Sequence, residues 1–140
     1  MYQRILLAVD GSEHALHAAR TTGDLARAFA SESVSIVFAY DPLPSYLGEP
    51  FLSDAIEKRV EESEGVLKSA AEAMGAVPGM IHTEALEGTP AEAILDVART
   101  RNVDLIVMGS RGLGRLAGAL LGSQSQKVVQ HATCPVLIVR

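Results

Sequence analysis

Short apolar runs, each separated from the next by a stretch of helical periodicity, constrain this chain more than any other feature. Ile5-Leu6-Leu7-Ala8-Val9 is apolar throughout, as a strand covered on both faces must be. It stops at Asp10-Gly11-Ser12, which are turn and cap residues. Ala15, Leu16, Ala19, Ala26 and Phe29 then fall at roughly helical spacing. Residues 34–40, rich in β-branched and aromatic side chains, read as a second strand. Pro42, Pro44, Gly48 and Pro50 argue against regular structure over 41–51. Ser53 reads as the cap of a long helix with Ile56, Val60, Leu67, Ala71 and Met74 on one apolar face, closed by Gly75, Pro78 and Gly79. A weaker strand spans 81–86. Thr89-Pro90-Ala91-Glu92 has the form of a capping box: the Thr hydroxyl can accept from the Glu92 amide, the Glu can reach back, and Pro90 sits where no donor is needed. That helix continues through Ile94, Leu95 and Ala98, and Leu105-Ile106-Val107-Met108 forms a further apolar strand. A helix over 123–131 and a strand over 135–139 complete the pattern.

The order is βαβαβαβαβ. Strands separated by helices cannot be hairpin neighbours, so they pair in parallel through right-handed crossovers. The expected fold is a three-layer α/β sandwich. At 140 residues the chain fits one domain over 1–140, large enough to bury a sizeable core without staples. With 48% hydrophobic and 21% charged residues, it is not the composition of a disordered chain. No apolar run approaches the ~20 residues of a membrane span. The apolar run that precedes Asp10 is too short for a secretory signal. The expectation is a cytoplasmic protein with no membrane partner.

Twelve basic against seventeen acidic residues give 12 − 17 = −5. That balance argues against nucleic acid as a partner, whose binders carry a basic face. Three Phe, three Tyr and no Trp also leave little to stack unpaired bases on. Cys134 stands alone, so there is no internal disulfide and no Cys cluster for a metal.

Open α/β sheets bind ligands beyond the C-terminal ends of their strands, where strand order reverses. The residues to read are therefore Asp10-Gly11-Ser12, Tyr40-Asp41 and the glycine-rich stretch 109–125. In the last of these, glycines permit positive φ and let backbone N–H groups approach a ligand closely. Gly122 opens a helix whose first amides are unsatisfied and whose dipole is positive at that end. Ser123 and Ser125 add hydroxyls, and Arg111 and Arg115 add charge. From spacing alone, an anion site and a plain glycine-rich connector both remain open.

Gly109-x-x-Gly112, then nine residues, then Gly122-Ser123 resembles the nucleotide-binding signature of the universal stress protein family. The segments 5–12, 88–91, 104–112 and 131–139 resemble that family as well, in the same order, so the likeness spans essentially the whole chain. The resemblance implies a Rossmann-like, adenine nucleotide alpha hydrolase-like fold with a five-stranded parallel sheet of order 3-2-1-4-5. It implies a homodimer and ATP held between the ends of the first and fourth strands, with AMP or ADP as alternatives and with or without Mg2+. Carried over by position, the adenine lies near the main chain of Val9 and Ala39, Asp10 sits beside the adenosine and Gly109 lies against the ribose. Gly112, Gly122, Ser123 and Ser125 cradle the phosphates, with Arg111 on the same loop. Gln124 stands where many relatives carry a small or β-branched residue, so the contact expected there is through its backbone.

Other readings stand beside these. Asp10 also suits a helix-start cap, a metal ligand or a base. His14 and His17, three apart on a helix, have a metal-pair spacing with no third ligand nearby. His131 suits the negative end of a helix dipole, and Cys134 suits a small buried apolar position. Residues 41–51 read equally as a lid or partner surface and as a satellite cluster. The last strand, apolar and at a sheet edge, invites pairing with a second chain. For function, a nucleotide-occupancy protein of the stress response is favoured over a slow ATP hydrolase or nucleotidyl-transfer enzyme. The P-loop pattern with its lysine is missing, and Gly112-x-Gly114 with Gly118 does not complete a dinucleotide fingerprint. A dimer that acts with no ligand is the third class.

Overall fold

In the computed structural model, which describes residues 1–110 and 122–140, each apolar run is a strand and each periodic stretch a helix. The elements are β1 (Arg4–Val9), α1 (Glu13–Phe29), β2 (Ser33–Tyr40), α2 (Phe51–Met74), β3 (Met80–Glu87), α3 (Pro90–Thr100), β4 (Leu105–Gly109), α4 (Ser123–His131) and β5 (Val136–Val139). The strands form one five-stranded parallel sheet in the order β3-β2-β1-β4-β5. β1 is central, with Leu6 level with Ser35 of β2 and Ile106 of β4. Its side chains alternate between two cores. Ile5, Leu7 and Val9 pack with Ala15, Ala18, Ala19 and Ala26 of α1 and with Ala70 and Met74 of α2. Leu6 and Ala8 face Ala91, Ile94 and Val97 of α3 and Val128 of α4. A strand buried on both faces has no polar side to show, which is why 5–9 contains no polar residue. Each leucine so buried contributes about 1.5–3 kcal/mol.

Helix α1 approaches its neighbours closely because its inner face is alanine and glycine. A Cβ built on Gly23 would lie 2.1 Å from the Met74 carbonyl oxygen at the end of α2. The same carbonyl accepts a hydrogen bond from Arg27 Nη1 at 3.0 Å.

Helix α2 corrects two sequence expectations. It starts at Phe51 with Pro50 at the cap, so Ser53 lies within the first turn, where its hydroxyl bonds the Glu49 carboxylate. A 3₁₀ turn at Ser45–Leu47 precedes it, in a stretch expected to be irregular. Its apolar stripe is buried only in the C-terminal half; Ile56 and Val60 are 46% and 50% exposed. Length explains this. The helix has 24 residues, about 36 Å, while β2 and β3 have 8 residues each, about 26 Å. Its first turns therefore overhang the strand ends.

The expected capping box at α3 is not formed. Thr89 is the N-cap and Pro90 takes the first helical position, but the Thr hydroxyl makes no capping bond. Instead Gln124 Oε1, from the first turn of α4, accepts from Ala91 N at 3.1 Å. A distant side chain has replaced the local one.

At the opposite rim, before the strands begin, side chains tie the chain together. The Asp104 carboxylate accepts from Gln3 N and Arg4 N, both at 3.0 Å. Arg4 reaches Asn102 O and Glu32, Gln3 Nε2 donates to Phe29 O, and the Ser31 hydroxyl donates to Tyr2 O.

Candidate functional site

The topology sends the start of every helix to the C-terminal rim of the sheet. At the end of β1 the chain turns through Gly11, whose φ of +86° suits glycine. Asp10 Oδ1 accepts from Ser12 N at 2.9 Å and from Ser12 Oγ at 2.5 Å. Ser12 is in turn the N-cap of α1 and accepts from Ala15 N at 3.2 Å. The Asp10 carboxylate is thus oriented by the turn that starts α1, so the cap reading holds in part: the acid supports the cap rather than being it.

Gly109, at the end of β4, has a packing reason of its own. A Cβ there would lie 3.0 Å from the carbonyl carbon of His14 and 3.1 Å from its Cβ. The glycine lets the start of α1 pass over the β4 terminus, whatever else approaches it. His14 Nδ1 is buried there with no hydrogen-bond partner among the described residues. The His14 and His17 rings stand 6.1 Å apart and tilted, and no three metal-ligating side chains converge among the described residues.

At the end of β2, Gly88 N donates to Tyr40 O at 2.8 Å, which closes the turn after β3 onto the β2 terminus. Between these ends, α2 and the first turn of α4 lies a cleft of about 460 Å³. Its lining includes Ala39, Tyr40, Arg59, Glu62, Thr89 and Gln124. Two of the residues proposed from sequence, Ala39 and Gln124, thus share one cavity. Arg59 and Glu62 were not anticipated; the signal available in the sequence was the excess length of the second helix over its strands. Because Ala91 N is a donor, the Gln124 atom facing it is the oxygen, and the amide nitrogen is left to donate elsewhere.

α4 begins at Gly122, which is buried and has no side chain to offer as a cap. Gly122 O accepts from Gln126 N at 2.9 Å, so the helix is properly begun. Gly122 has φ −65° and ψ 157°, extended geometry open to any residue. Of the two properties read for this glycine-rich stretch, positive φ is therefore not the one that Gly122 uses. Ser125 is buried and Ser123 exposed on that first turn. Arg111, Gly112 and Arg115 lie outside the described residues.

Cys134 packs against the second core, as do Ala132, Val136 and Ile138. Burial, and then the charge of Asp104, push its thiol above the ordinary range.

Comparison with known proteins gives a consistent result. A family model described as the universal stress protein family matches residues 1–140. A universal stress protein of Thermus aquaticus is 51% identical, with all of both chains covered. The solved structure of the hypothetical protein MJ0577 superposes with a TM-score of 0.85 at 29% identity, over 99% of this chain and 96% of that one. A universal stress protein in complex with cAMP superposes with a TM-score of 0.74 at 28% identity, over 99% and 97% of the two chains.

Proposed function

This chain belongs to the universal stress protein family, and from that membership we propose that it binds an adenine nucleotide, ATP in the first instance, at the C-terminal rim of the sheet. The observation that carries the reading is the start of α4 at the C-terminal rim, with a glycine at its cap position and Gln124 of its first turn lining the adjoining cleft. Such a helix start is a ready seat for phosphate. A cleft of about 460 Å³ adjoins it, within the ~300–1,000 Å³ of small-molecule sites. A relative solved with cAMP makes an adenine nucleotide the natural class of ligand.

In this reading the main chain of Val9 and Ala39 receives the adenine, Asp10 stands beside the adenosine and Gly109 beside the ribose. Gly122, Ser123 and Ser125 hold phosphates, with Gln124 contributing its backbone, because its side-chain oxygen is already engaged at Ala91. Gly112 and Arg111 would complete the phosphate seat, and Mg2+ would ride on the phosphates. The output is occupancy rather than turnover, in one domain acting in the cytoplasm. No described helix is long and apolar enough to cross a membrane. The unit is a homodimer formed through β5, an apolar edge strand whose Leu137 is exposed.

Denaturing freshly purified protein should release an adenine nucleotide identifiable by mass spectrometry, and titration of the stripped protein with ATP should give saturable heat. Sedimentation at micromolar concentration should show twice the chain mass. No released nucleotide together with flat titrations would refute the binding; a chain-mass species would refute the dimer.

A further inference from the structure

The overhang of α2 places Arg59 over the strand ends, where a ring and a carbonyl hold it instead of an acid. Arg4, Arg27, Arg99 and Arg101 each pair with a carboxylate. Arg59 has no carboxylate within salt-bridge distance among the described residues, although Asp41 and Glu62 line the same cleft. Its guanidinium instead sits 5.0 Å over the centre of the Tyr40 ring, and Nη1 donates to Asp41 O at 2.9 Å. The guanidinium is therefore held between an aromatic ring and a carbonyl. What results is a flat, pre-oriented cation lining the cleft that Ala39 and Gln124 also line.

We propose that Arg59 is a specificity residue of the nucleotide cleft, serving as a planar wall against which a purine base stacks. The inference rests on the nucleotide reading above and extends it to a residue outside the glycine signature. Guanidinium planes stack on bases, and a lysine ammonium cannot replace them there. The placement favours the base over the phosphates. Arg59 is anchored to the two residues directly after Ala39, whose main chain is assigned to adenine, whereas the phosphates belong to the first turn of α4.

Calorimetric titrations of ATP, AMP, adenosine and UTP against the unaltered protein, Arg59→Ala and Arg59→Lys test this. Arg59→Ala should weaken ATP, AMP and adenosine by a similar factor, roughly tenfold. It should narrow the preference for ATP over UTP, and Arg59→Lys should restore neither. A loss that grows with the number of phosphates would assign Arg59 to charge instead and overturn the proposal. So would equal losses for ATP and UTP, which mark a mere anchor for the Asp41 backbone, or unchanged affinities. If the unaltered protein binds no ATP, the nucleotide reading falls and this inference with it. If it does bind and Arg59→Ala binds as well, only the inference falls.

Discussion

Gly122→Val should reduce ATP affinity by more than a hundredfold, about 3 kcal/mol, while the folded protein persists. The backbone at this residue, φ −65° and ψ 157°, is one that valine adopts readily, so the substitution does not unseat the helix by strain. The loss comes from space: two methyl groups would stand at the mouth of α4, where a phosphate must approach the first-turn amides. Gly122→Asp sharpens the test. A carboxylate at the N-cap satisfies those amides itself, which should stabilise the helix by a few tenths of a kcal/mol, and its charge repels phosphate. Stability and binding then move in opposite directions, which no general unfolding can imitate. Calorimetry that finds wild-type ATP affinity in Gly122→Val would sink the mode of binding.

Gly23→Ala should cost about 2–3 kcal/mol, or roughly 10 °C in melting temperature. Helix propensity alone gives the opposite sign, since alanine is favoured over glycine by about 1 kcal/mol in a helix interior. Packing decides the outcome. The added methyl would sit 2.1 Å from the Met74 carbonyl oxygen, and because that atom is backbone, no rotamer change relieves the overlap. The two helices would have to separate by roughly an ångström along a close-packed seam. Denaturant unfolding reads the difference directly, and a Gly23→Ala variant as stable as the parent would show that α1 and α2 do not cross this closely.

The sheet was legible in the sequence because its signal is local. A run such as 105–108, apolar at every position, has few alternatives once helical stretches flank it, and the strand order followed from the family resemblance in the glycine and Asp-Gly-Ser segments. What escaped depended on lengths and on distant partners. Nothing in the periodicity of Ile56 and Val60 says that the sheet ends beneath them; only the difference between a 24-residue helix and 8-residue strands does. Thr89 and Glu92 have the spacing of a reciprocal cap, yet Gln124 reaches the same helix start from elsewhere in the chain. Among the site residues, Ala39 and Gln124 meet in one cleft, as expected of strand ends and helix starts that share a rim. Arg59 was invisible because a lone arginine on a helix reads as surface until its neighbours are known.

The two ends of the sheet are built for different purposes. Asp104, Gln3, Arg4 and Ser31 lace the far rim shut with bonds that span up to 101 positions of chain. That end behaves as a keel, which sets the spacing of the strands before they arrive at the rim of the candidate site. The turns after the strands can therefore be altered without loosening the hull that carries them.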